Sequence, residues 1–186
     1  MVLRKKDLTG ARFVRTDLSG SDLAEAKLTG AVLTEANLAR ARLRGADLAG
    51  ADLTKAQGDR GNFEAANLAG AILTKAELPR AKLARADLTD ADLSKAELGR
   101  AVLTGAKLHG ADLRFANLAR AGFSEASLIG ADFTGAYTYL TGFEGTDLSQ
   151  AVGLTQQQLD LACGDEATKL PGGLQRPASW PCAGGG

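Results

Sequence analysis

From Leu3 to Leu148 every fifth residue is Leu or Phe at 28 of 30 positions, interrupted only by Gly58 and Thr138. Two residues before each apolar position stands a small residue, Ala in 24 of the 29 cases from Ala11 to Ala151, with Thr16, Ser21, Gly61, Thr141 and Thr146 as the others. The unit reads A-(D/N)-L-x-x. A period of five matches neither the 3.6 residues of a helical turn nor the two-residue alternation of a strand, so neither can place all these leucines on one side. A chain that turns a corner once per unit can. Each unit then forms one short extended side, with Leu or Phe and the small residue pointing inward and the other three positions facing out.

A slower period gives the number of sides. Glycine two residues after the apolar position recurs at Gly10, Gly30, Gly50, Gly70, Gly110 and Gly130, with Asp90 interrupting. Arginine at the equivalent place recurs in another phase, at Arg40, Arg60, Arg80, Arg100 and Arg120. Both columns step by twenty, which is four units per coil. Glycine suits the third residue of a type II turn, where φ is positive, so type II corners are expected along the glycine column and another turn type along the arginine column.

These residues resemble the pentapeptide-repeat family, whose A(D/N)LXX unit is copied over roughly residues 1 to 153. The resemblance implies an all-β fold, a right-handed quadrilateral β-helix of about seven coils. Irregularity is expected around Gln57-Gly58-Asp59-Arg60-Gly61 and Tyr137-Thr138-Tyr139, two gaps on one face, four coils apart.

Beyond residue 153 the repeat stops. Thr155 and Gln158 form a capping box, and Leu154 with Leu159 a hydrophobic staple, so a short helix is expected there, ending at Gly164. The rest, with Pro171, Pro177, Pro181 and Trp180, reads as an irregular tail. A solenoid needs its open end covered, and 154–186 is expected to cover it. The resemblance also admits a homodimer through that end. Both cysteines, Cys163 and Cys182, lie where no repeat holds the chain, and a disulfide between them is expected. Such a bridge favours a periplasmic or other oxidising compartment. The chain has no targeting or membrane-spanning segment, and a leader removed upstream of Met1 is conjectured.

Lys plus Arg and Asp plus Glu each number 22, so overall charge favours neither nucleic-acid binding nor strong acidity. Distribution matters more. Lys55, Lys75 and Lys95 form a second basic column on the corner preceding the arginines. Either Glu77, Glu97, Asp52 and Asp92 neutralise these columns, or the columns make a basic edge that grips an acidic partner or a phosphate polymer. Acidic columns also occur, with Asp52, Asp92, Asp112 and Asp132 on one face and Asp7, Asp47, Asp87 and Asp147 on the next. Some pentapeptide-repeat proteins protect type II topoisomerases by imitating duplex DNA. That role is the alternative reading here, although the unit itself demands Asp or Asn before Leu and the arginine edge argues against mimicry.

No cofactor, metal site or small-molecule substrate is expected, and no enzymatic activity. His109 is an outward residue, remote from both cysteines, and a convex rod offers no cleft in which carboxylates act as acid and base. One patch stands out. Phe115, Tyr137, Tyr139 and Leu140 are large apolar residues at positions that are polar elsewhere, and either the tail with Leu170, Leu174 and Trp180 covers them or they form an exposed contact site. The sequence thus describes a non-catalytic scaffold for protein–protein interaction, with its partner unnamed.

Overall fold

The computed structural model describes residues 1–182. The residue before each Leu or Phe pairs in parallel with the residue twenty further on, from Val2 with Asp22 through Asp47 with Asn67 to Asp132 with Val152. One coil therefore takes four units and has four faces. The first face carries Val2, Asp22 and so on to Gly142; the second runs from Asp7 to Asp147; the third from Arg12 to Val152; the fourth from Asp17 to Tyr137.

Around Leu48 the hydrogen bonding of a unit is plain. Leu48 N–H donates to Asn67 O at 2.7 Å and Gly50 N–H to Ala69 O at 2.9 Å, while Asp47 N–H donates back to Ala26 O at 2.9 Å and Ala51 N–H closes the corner on Leu48 O at 2.9 Å. Four of the five amides are thus satisfied by backbone. The fifth belongs to the residue after the leucine, and this is what the D/N position serves. From Asp7 to Asp147, every Asp or Asn preceding the apolar residue accepts that N–H through its side-chain oxygen, as Thr54 N–H donates to Asp52 Oδ1 and Ala39 N–H to Asn37 Oδ1. Pro79, which has no N–H, falls at this one amide that the ladder does not use.

The corners correct one expectation. From Lys5 to Gly145 every residue two after the apolar position has positive φ, whether glycine (Gly50, +62°) or not (Arg80, +57°; Asp90, +56°; Lys95, +60°). Glycine and arginine corners therefore share the left-handed third residue. Coil-to-coil hydrogen bonding imposes the turn on whatever residue stands there, and non-glycine residues tolerate it at a cost of about 1–2 kcal/mol each.

Inward Leu, Phe and Ala side chains are fully buried through the regular coils, in a single continuous core. The gap at Gly58 does not disturb the coil, since Gly58 N–H still donates to Glu77 O and Gly61 N–H to Gly58 O. Phe63, on the next side, and Leu78, one coil on, fill the room left by the missing leucine: a Cβ on Gly58 would lie 2.5 Å from Leu78 Cδ2, and one on Gly61 2.7 Å from Phe63 Cε2. Towards the other end Phe123, Phe133 and Phe143 pack with ring centroids 5.6–6.3 Å apart.

At Thr138 the inward position is a buried hydroxyl, and the C-terminal segment bonds to it. A six-residue helix, α1 (Gln156–Leu161), starts at the Thr155–Gln158 capping box. It ends at Leu161 with Ala162 as cap, three residues before the expected Gly164. Gly164 serves packing instead, since a Cβ there would run into the Trp180 ring. Buried hydroxyls and an amide tie the last coils of the rod to the C-terminal segment. Thr138 Oγ1 donates to Gln158 O, Thr168 Oγ1 to Phe143 O, and Gln158 Nε2 to Phe133 O and Ala136 O. The chain then continues the ladder, Cys163 pairing with Gly142 and Lys169 with Asp147.

Candidate interaction surface

The fourth face is flanked by two corners that carry cations on successive coils. On one stand Lys55, Lys75 and Lys95; on the other Arg40, Arg60, Arg80, Arg100 and Arg120, all exposed. The twenty-residue register puts each column's members about 4.8 Å apart along the rod. The expected neutralisation does not take the form of contact ion pairs. Among the described residues only Lys55 (with Glu35, 3.9 Å) and Arg60 (with Asp59, 4.0 Å) have a carboxylate within 4.0 Å; Arg40, Arg80, Arg100, Arg120, Lys75 and Lys95 have none. Three of the four carboxylates expected to serve, all but Glu77, are engaged elsewhere. Asp52 accepts from Thr54 N–H and Thr34 Oγ1, Asp92 from Ser94 N–H and Thr74 Oγ1, and Glu97 from Asn117 Nδ2.

The same face ends in the aromatic patch. Phe115 continues the lysine corner and lies over Gly135; Tyr137 is the last bridging residue of the face; Tyr139 and Leu140 continue the arginine corner, where Arg120 N–H donates to Tyr139 O. Their exposures are 60%, 51%, 40% and 38% for Phe115, Tyr137, Tyr139 and Leu140. Tyr137 and Tyr139 stack, centroids 6.3 Å apart and planes 13° from parallel. The tail as described, to Cys182, therefore does not cover them. Trp180 is buried at the rod's end, its Nε1 donating to Ala162 O at 2.7 Å, and Leu170 and Leu174 pack partly buried against the core there. Leu161, exposed at the end of α1, accepts from Leu140 N–H and extends the patch, a residue with no periodic signal to mark it.

The acidic columns are more quenched than the basic ones. Asp92, Asp112 and Asp132 stack directly on the third face, and Arg114 sits among them, its Nε 2.9 Å from Asp112 Oδ1 and 4.0 Å from Asp132 Oδ2. That guanidinium holds the Asp112 carboxyl below its usual range, against burial and the Asp92 charge. On the second face, hydrogen bonds from Ser149 and the Lys169 ammonium lower Asp147 to about 2.

His109 is half-buried beside Ser127, Nε2 to Oγ 2.5 Å. No three His, Cys, Asp or Glu side chains among the described residues group as a metal site. Cys163 and Cys182 are joined, S–S 2.08 Å, locking the tail to the end of the rod. No helix among the described residues is long and apolar enough to cross a membrane.

The family model for pentapeptide repeats matches in eight copies, over residues 2–30, 21–56, 62–100 and 96–135. The chain belongs to the pentapeptide-repeat family. Among solved pentapeptide-repeat structures, HetL, involved in heterocyst differentiation regulation in the cyanobacterium Nostoc, is 37% identical over 89% of this chain and 81% of its own, with a TM-score of 0.47. QnrB1, a plasmid-mediated fluoroquinolone resistance protein, is 16% identical over 95% of this chain and 89% of its own, with a TM-score of 0.78. A trypsin-treated form of QnrB1 is 23% identical over 92% and 87%, with a TM-score of 0.77. At those identities the likeness is one of fold, the right-handed β-helix. No curated protein matches the sequence.

Proposed function

We propose that this pentapeptide-repeat protein is a non-catalytic scaffold that docks a protein partner on its fourth face, with Arg40, Arg60, Arg80, Arg100, Arg120, Phe115, Tyr137 and Tyr139 as contact residues. Residues 1–153, about seven coils, present that face, and 154–186 cover the end, the last four lying outside the described residues. The observation that carries the reading is the uncovered Phe115, Tyr137, Tyr139 and Leu140 at the end of a face whose cations mostly lack contact partners. Aromatic rings and arginines held on a rigid frame are the residue types that anchor protein interfaces. The Cys163–Cys182 bridge favours a periplasmic or other oxidising site of action.

A photo-crosslinking residue at position 139, used in lysate of the native cell, tests this. One specific protein adduct, lost in Tyr137→Ala and competed by unlabelled protein, is expected. Capture no different from that at a position on the second face would remove the reading.

A second reading, protection of a type II topoisomerase, draws on the stacked Asp92, Asp112 and Asp132 and on fold likeness to QnrB1. Supercoiling by gyrase in the presence of a quinolone would be restored by the protein if it holds, and left inhibited if it does not.

A further inference from the structure

Resting on that scaffold reading, we infer that the fourth face takes an extended acidic polypeptide segment with an apolar or aromatic residue at one end. A molecule with no net charge has gathered eight cations along the two edges of one face, six of them with no carboxylate within 4.0 Å. Each edge is held by corners in a fixed left-handed conformation, so the backbone keeps the cations of a column on successive coils and only their flexible arms can spread. The chain's own carboxylates make contact pairs with only two of these cations, and an anionic partner would relieve the repulsion among the rest.

Two parallel edges with a strip between them also specify the shape of the occupant. In an extended polypeptide successive side chains point to opposite sides, so a segment lying along the strip delivers alternate carboxylates to the lysine edge and to the arginine edge. Carboxylates on one side recur every ~6.6 Å and the cations every ~4.8 Å, a mismatch that the flexible Lys and Arg arms absorb. The strip itself carries Asn37, Gln57, Glu77, Glu97 and Asn117, hydrogen-bonding side chains over which the neutral backbone of a peptide can lie while its carboxylates stay out at the cation edges. At its C-terminal end the strip meets Phe115, Tyr137 and Tyr139, which suit an apolar anchor. A peptide can set neutral amides over Glu77 and Glu97, whereas a nucleic acid carries its charge on the backbone itself, and this favours the peptide.

The test is a fluorescence-anisotropy titration of the full chain with a labelled peptide of about eight glutamates ending in Trp, long enough to span the cation columns. Saturable binding at low salt is expected, weakening at least about tenfold between roughly 0.05 and 0.5 M NaCl. Arg80→Glu/Arg100→Glu and Lys75→Glu/Lys95→Glu should each weaken it about tenfold, and Tyr137→Ala/Tyr139→Ala should abolish the advantage of the terminal Trp over Gly. Lys27→Glu/Lys82→Glu, on the first two faces, should change it less than about twofold. All are exposed positions, so melting curves should coincide with that of the parent. Absence of binding at low salt, equal loss in the off-face pair, or equal affinity for an oligothymidylate of similar charge would overturn the inference. Absent peptide binding alongside a specific crosslink at position 139 would remove this inference alone and leave the scaffold standing.

Discussion

The ring of Phe63 occupies the space that a side chain at Gly61 would need, its Cε2 lying 2.7 Å from where that Cβ would sit. Gly58, the missing leucine of the same coil, is closed over by Leu78 Cδ2 in the same way. The three departures from the repeat form one compensating set. Restoring the consensus with Gly58→Leu alone should therefore destabilise the protein by about 1–3 kcal/mol, because the added volume has nowhere to go. Gly58→Leu with Leu78→Ala, which removes the methyl group in the way, should recover part of that loss. Urea midpoints at unchanged slope would report it, and a stabilising Gly58→Leu would contradict the packing.

Corner residues offer a cleaner backbone test. Nothing lies within 4 Å of a Cβ built on Gly50, whose φ is +62°, so Gly50→Ala should cost about 1 kcal/mol through conformation alone. Lys95, at φ +60°, is the converse. Lys95→Gly should stabilise by up to about 1 kcal/mol, the relief of strain exceeding the entropy gained by the unfolded chain. Thermal melts of the two variants should move in opposite directions.

Asp147 accepts from Ser149 N–H at 3.0 Å and from Lys169 Nζ at 2.9 Å, and titrates at about 2. Its folded value lies below the ordinary aspartate value, so its contribution is fully present above about pH 4 and disappears as pH falls towards 2. Asp7, lowered by its hydrogen bonds from Thr9, and Asp87, lowered mainly by Thr89, act in the same sense. Melting temperature should fall across this window. Asp147→Asn keeps an acceptor for Ser149 but not the charge, and should flatten part of the fall; an unchanged profile would refute the assignment.

The Cys163–Cys182 bridge closes a loop of 19 residues at the covered end. Cys163→Ser/Cys182→Ser should lower stability by about 2–4 kcal/mol and loosen Trp180 from Ala162 O. Urea unfolding with and without reductant, followed by Trp fluorescence, would measure both. Equal midpoints would show that the bridge does not hold the end.

The columns are legible in the sequence because a period of five stepping by twenty buries Leu3 to Leu148 in a coil of four sides. That periodicity determined the inward leucines, the corners, and the alignment of Arg40 to Arg120 with Phe115 and Tyr137 nearby. What it could not reach was every feature that depends on neighbours distant in sequence. The left-handed turn at Arg80 is imposed by bonds to the adjacent coil, and propensity alone points elsewhere. Glu97 answers Asn117 and leaves Arg100 without a contact pair because the twenty-residue register puts those two face residues side by side. Trp180 closes the rod's end against Gly164 and not over Tyr137, since only the folded end offers a pocket for an indole and the Ala162 carbonyl for its N–H. The sequence by itself determined a rod and its columns, because repetition makes each local choice the same; the tertiary structure alone decided which charges and rings stay free, because that depends on contacts twenty residues and more apart.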